Sequence, residues 1–212
     1  YLVLLINANF GAGDFLLTLT YAEEFLPGSF EEAEANLVRF LRRVREACRR
    51  KGLPAPAYIA VTEGGSEEQE ATGELIRYHH HGVIRCGLTA DELRDCWSVG
   101  RGKRKKMLGY CDPKLAQLRN GSLEEWANYM LKAPKHRRHW HQSLGLKKPS
   151  VSVSDSKFTR SKINRAGHDG ILEEPATWEK AYPGWRCSTA RAARNEYTGS
   201  WYIRLELWRE RS

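Results

Sequence analysis

Apolar and polar positions change period several times along the chain, and each change marks an element. Residues 2–9 are almost wholly apolar and read as a short helix ending in the turn Gly11-Ala12-Gly13-Asp14. Residues 15–22, rich in Leu and Thr, read as a strand. Leu37, Phe40, Leu41, Val44 and Cys48 recur at helical spacing, which predicts a helix over 30–51 with Ser29 as its N-cap and Gly52 as its stop. Strands are expected at 57–63 and 75–87, on either side of a polar loop rich in Gly and Glu. Thr89, followed three residues later by Glu92, makes a capping box for a short helix reaching Trp97.

Residues 105–112 read as a further strand, and 122–133 as a helix with Ser122 at its N-cap and Glu125 in the capping-box place. Beyond Pro149 the pattern weakens until 198–208, which reads as a hairpin and closing strand. Strands and helices alternate with short links, so the expected fold class is α+β, one unit with a central sheet flanked by helices.

With 41% hydrophobic and 28% charged residues in 212, the chain can bury a core, which excludes a disordered tail or a fibre. No apolar run approaches the ~20 residues of a membrane span. Position 1 is Tyr rather than Met, so the lack of a visible secretory signal excludes no targeting. Cysteines at 48, 86, 96, 111 and 187 are odd in number and contain no CxxC pair, which suggests buried thiols in a reducing compartment rather than a disulfide framework or a zinc ribbon.

Charge adds a partner. Lys and Arg outnumber Asp and Glu by 34 to 26, and the excess is unevenly placed. No acidic residue occurs from 126 to 154, where Lys132, Lys135, Arg137, Arg138, Lys147 and Lys148 fall. A second block holds Arg101, Lys103, Arg104, Lys105 and Lys106. Two basic blocks flanking one helix in the sequence point to a polyanion, most simply nucleic acid.

The richest chemistry lies in Tyr78-His79-His80-His81-Gly82. Side chains alternate faces on a strand, so His79 and His81 project together and His80 the other way. Two imidazoles on one face can share a metal ion, and Glu63, ending the preceding strand, can supply a third ligand if the two strands pair antiparallel. Such mixed nitrogen and oxygen ligands suit Mn²⁺ and tolerate Mg²⁺ when a substrate supplies oxygens.

A second candidate is Tyr129. On the expected helix Leu123, Trp126, Ala127 and Met130 define the core face, and Tyr129 falls roughly 130° from its centre. Lys132, three residues on, projects along the same flank. A phenol is a weak nucleophile unless a cation favours its anion or withdraws charge from its target.

In order, the strand at 15–21, the histidine motif at 79–81 and the Tyr129–Lys132 spacing resemble the HUH endonuclease superfamily, in its single-tyrosine rolling-circle replication-initiator branch of bacterial phages, plasmids and integrative elements. The stretches at 97–101 and 137–149 are similar to the bacterial and phage subgroup. His80 stands where the family has a hydrophobe and faces away from the metal. The resemblance covers roughly 10–150. It implies an HUH core over 1–150, built on an antiparallel ferredoxin- or RRM-like sheet, with 151–212 as an extension packed on the same domain.

The resemblance further implies Mn²⁺ or Mg²⁺ on His79, His81 and Glu63, with Tyr129 as nucleophile and Lys132 positioning the tyrosine or phosphate. The product would be a 5′-phosphotyrosine and a free 3′-hydroxyl in single-stranded DNA at a replication origin, with a hairpin as the expected origin structure and with later rejoining. The basic residues would hold DNA backbone; Trp140 would stack a base or pack in the core. Location would be the bacterial cytoplasm. With no GxxxxGK[ST] motif in the chain, unwinding falls to a host helicase, and a host polymerase extends the 3′ end.

Four readings compete. A relaxase-like nickase would place its tyrosine before the histidines; Tyr21 precedes them, but it lies in the strand motif and lacks a lysine partner. A single-tyrosine transposase is closer but lacks the context at 97–101 and 137–149. A binding module without cleavage would be expected to show an RNP-type aromatic pattern, which is missing. A cupin-like oxygenase using His-x-His and Glu would need a β-barrel, which the strong helices oppose.

Overall fold

The computed structural model describes residues 1–65, 77–119, 121–131, 140–154 and 156–209. Its centre is a five-stranded antiparallel sheet of β1 (Phe15–Leu19), β2 (Ala57–Glu63), β3 (His79–Arg85), β6 (Cys111–Leu115) and β7 (His141–Gln142), in the order β6-β1-β3-β2-β7. Because side chains alternate, each central strand feeds two cores. On one face Leu17, Leu19, Ala60 and Ile84 pack with Leu37, Phe40, Leu41 and Val44 of α2 (Phe30–Arg50) and with Leu93 of α3 (Ala90–Cys96). On the other, Ile59, Val61 and Val83 pack with α1 (Leu2–Asn9) and α4 (Glu124–Met130). The sheet is thus flanked by helices on both sides.

Local chemistry accounts for the element ends. The Ser29 hydroxyl accepts from the Glu32 amide at the start of α2, and both halves of the Thr89–Glu92 capping box form. Gly52 follows α2 with φ of 67°, the left-handed conformation glycine adopts most readily. Gly82 has a different reason to be small. A Cβ there would lie 2.9 Å from the Ile59 carbonyl oxygen, so a side chain would force β3 away from β2 in the middle of the sheet.

Four expectations are corrected. Residues 105–112 are not one strand: β5 (Lys106–Met107) pairs with β4 (Ser98–Val99), whereas β6 begins at Cys111 on the main sheet. The break falls at Gly109, where a Cβ would come within 2.3 Å of the Thr20 carbonyl oxygen. β1 ends at Leu19 rather than running to 22. The helix expected at 122–133 starts only at Glu124; the Ser122 hydroxyl accepts from the Glu124 amide (2.9 Å), but Glu125 pairs with Arg119 and the capping box does not form. Asn7 of α1 supports this start, accepting from the Leu123 amide (2.9 Å) and donating to the Ser122 hydroxyl (3.1 Å).

Finally, the expected hairpin forms, but its first strand lies at 186–194 and not within 198–208. β8 (Arg186–Arg194) and β9 (Trp201–Trp208) form their own hairpin, with a small core of Leu172, Trp178 and Cys187 beside it. Two helices of this extension, α5 (Arg160–His168) and α6 (Pro175–Ala181), were not read from periodicity, although Thr159 as N-cap and Pro175 at the first helical position signal both. The hairpin touches the sheet unit through the Thr189 hydroxyl, which donates to Glu124 at 3.0 Å. Among the described residues no helix is long and apolar enough to cross a membrane.

Candidate metal and tyrosine site

Strand register builds the site. β3 lies between β1 and β2 so that Glu63 stands opposite His79, and His81 stands between Thr18 and Val61. Glu63, His79 and His81 therefore emerge on one face, the α1/α4 face, with ligand atoms all within 4.8 Å of one another. The His79 ring donates through Nδ1 to the Arg77 carbonyl (2.8 Å), which turns Nε2 toward Glu63, 3.5 Å away. His81 Nδ1 meets the Thr18 hydroxyl at 3.2 Å, which leaves Nε2 to face the cluster. A second contact of this kind commonly fixes which nitrogen of a histidine ligates.

The chemistry of the donor set fits a divalent cation. His81 Nε2 and Glu63 Oε1 are buried with no hydrogen-bond partner, a costly state for two polar atoms aimed into one space. A cation with bonds of ~2.1 Å would draw the three ligands closer together. Burial, and next the charge on His79, pushes His81 down to about 4, so it is neutral near pH 7, the form that binds metal.

Tyr129 reaches the same place from the helix above. It lies outside the core face of α4 and is 39% exposed, as its angular position predicts. Its ring centroid is 4.6 Å from that of His81, edge to face, and it stacks on Trp126 at 5.5 Å. Trp126 is tied to β3 by donating from Nε1 to the Gly82 carbonyl (3.1 Å), so the tyrosine leans on a ring anchored to the histidine strand. Lys132, Lys135, Arg137 and Arg138 lie outside the described residues.

The middle histidine has a different task. His80 is 1% exposed and points into the α2 core, edge-on to Tyr21 and Trp97. Its Nε2 is 2.7 Å from the Tyr21 hydroxyl and its Nδ1 2.9 Å from that of Thr62. Thr62 donates onward to Glu34 at 2.5 Å, and Glu34 also holds His141. With Tyr21 donating to Nε2 and Nδ1–H donating to Thr62, every proton in the chain points toward the Glu34 carboxylate. This network was not legible in the sequence beyond His80 facing away from His79 and His81.

Burial, reinforced by the neighbouring histidines, lowers His80 from its ordinary 6.5 to about 3. The folded protein then cannot take up a proton that the unfolded chain accepts below 6.5. Its stabilising contribution is complete above that pH and is lost as pH falls toward 3. His81 acts in the same sense. Urea midpoints should therefore drop between pH 7 and pH 5, and a flat profile across that interval would contradict neutral burial.

The basic blocks separate in space. Arg101, Lys103, Arg104, Lys105 and Lys106 are exposed around the β4–β5 hairpin, on the α2/α3 side and not beside α4 as sequence proximity suggested. Lys147 is held at the end of α1, where the Asn9 side chain bonds both its amide and its carbonyl at 2.8 Å. Arg85 anchors on the Asn9 carbonyl, so Lys147 and Lys148 sit near the end of β3 remote from His79, six residues or roughly 20 Å along the strand. Trp140 is half-buried at the sheet edge against the α1/α4 core, donating to Gln142 at 2.8 Å.

Described cysteines form no disulfide, and burial pushes the Cys86 and Cys96 thiols up to about 11, which leaves them poor nucleophiles. No protein-family model matches the chain, and no curated protein or solved structure is significantly similar to it.

Proposed function

We propose that this chain is a metal-dependent endonuclease that cuts single-stranded DNA through a covalent tyrosine bond, the chemistry of the HUH class. Within that class the motif order, with the Tyr129–Lys132 spacing after the histidines, favours a rolling-circle replication initiator. The observation that supports this reading most directly is the 4.6 Å contact of the Tyr129 ring with His81, one of three clustered metal-type ligands.

Glu63, His79 and His81 would hold Mn²⁺ or Mg²⁺, which when bound withdraws charge from the phosphate oxygens. The Tyr129 phenol oxygen bonds to the scissile phosphorus as the bond from phosphorus to O3′ breaks. The phenol gives up a proton and the departing O3′ takes one up, leaving a 5′-phosphotyrosine and a free 3′-hydroxyl. One phosphodiester replaces another, so the same residues can rejoin the strand. Trp126 fixes the plane of the nucleophile's ring, and Trp140, on the same face, offers a stacking surface for a base. Helicase and polymerase would come from the host.

The test is a denaturing gel of protein with labelled single strands drawn from DNA around its gene, in Mn²⁺ or in chelator. A metal-dependent protein–DNA band is expected. Tight, salt-sensitive binding without any adduct across a wide strand pool would favour the binding module instead.

A further inference from the structure

Across the sheet from Tyr129 lies a groove of about 1070 Å³ between the outer face of α2, the end of α3 and the β4–β5 hairpin. Folding makes this site: α2 brings Arg42, Arg43, Arg50 and Lys51 alongside Arg101, Arg104 and Lys105, which stand some 50 to 60 positions away in sequence. Three of the seven cations are occupied. Lys51 pairs with Glu92 at 2.8 Å and Lys105 with Asp95 at 3.0 Å, and Arg43 braces the hairpin by donating to the Ser98 hydroxyl (2.6 Å) and the Gly100 carbonyl.

The other four differ. Arg42, Arg50, Arg101 and Arg104 are exposed, and their guanidinium groups engage no carboxylate among the described residues. Glu46 is the one acid lining the groove that no lysine there neutralises. Converging guanidinium groups repel one another and raise the local concentration of a polyanion. Their planar forks match phosphate oxygens two at a time.

We propose that this groove binds the sugar–phosphate backbone of duplex DNA, as a second contact separate from the tyrosine face. The choice of duplex rests on what the groove lacks. Among the described residues no aromatic side chain lines it, whereas sites for single strands stack exposed bases on aromatic rings. The opposite face has such rings in Trp126, Tyr129 and Trp140. A duplex hides its bases and presents phosphates alone, which suits a cationic groove without rings. Single strand and flanking duplex would then occupy opposite sides of one sheet. The proposal rests on the nucleic-acid reading but not on cleavage.

The experiment measures fluorescence anisotropy of a random-sequence 20-base-pair duplex against salt, with chelator present so that neither Tyr129 chemistry nor metal contributes. The variant Arg42→Glu/Arg104→Glu should lose at least about tenfold in duplex affinity, and the neutral Arg42→Gln/Arg104→Gln should lower the salt slope by about 2. Both should keep the parent's melting temperature and its affinity for an unpaired 20-mer. A control of equal charge change, Arg165→Glu/Lys180→Glu in the extension, should leave duplex binding near the parent's.

Unchanged duplex affinity in the groove variants would overturn the proposal. So would an equal loss in the control, which would make binding a matter of net charge. Groove-dependent capture of a polyglutamate peptide in place of the duplex would assign an acidic protein instead.

Discussion

Replacing Tyr129 with Phe is expected to abolish the covalent protein–DNA product while leaving single-strand binding and the fold intact. Phe keeps the ring contacts to His81 and Trp126 and removes only the hydroxyl, on a side chain already 39% exposed. A lost nucleophile should lower adduct formation by at least about 10³-fold, roughly 4 kcal/mol of barrier. The obvious substitute is Tyr21, which precedes the histidines as a relaxase-like order would require. It points into the α2 core, its hydroxyl is 2.7 Å from His80 Nε2, and burial raises its pKa far above the usual phenol range. Tyr21 is therefore on the wrong side of the sheet and hard to ionise. Persistent adduct in Tyr129→Phe would move the nucleophile to another exposed tyrosine, such as Tyr110.

The second large effect is expected at His81. Substitution by Ala should lower Mn²⁺ affinity by at least about 100-fold in calorimetry, since even residues that only orient a ligand are worth 10- to 100-fold. His81 supplies a buried nitrogen with no other partner, so no neighbouring group competes for its role. Glu63→Gln should weaken binding less than loss of His81, because the amide keeps an oxygen donor while losing the charge. Thr18→Val should cost about tenfold by releasing Nδ1, with the ligand itself intact. Unchanged affinity in His81→Ala would place the cation elsewhere, and the unpartnered Glu63 Oε1 and His81 Nε2 would then need another explanation.

How far the site was readable depended on the range of the interactions that make it. Alternation along a single strand was enough to put His79 and His81 on one face and His80 on the other, and the helical wheel was enough to take Tyr129 off the core face. Both are properties of local backbone geometry. The ends of α2 and the capping box of α3 were legible for the same reason, since a cap is made within four residues. The boundaries of α4 and β5–β6 were not, because their determinants come from far away: Asn7 supplies the start of α4, and the Thr20 carbonyl fixes the break at Gly109.

The sequence by itself therefore determined the fold class, the opposed histidines and the outward tyrosine. Tertiary structure alone decided that β2 and β3 align Glu63 with His79, that Tyr129 meets His81, and that the basic block at 101–106 joins α2 across the sheet from both. It also decided that His80 is wired to Tyr21, Thr62 and Glu34 within the core. The division has a simple cause. Period and capping act over one turn or one pleat, whereas register, face-to-face packing and the convergence of charge depend on which distant segments share a sheet, and no local pattern encodes that choice.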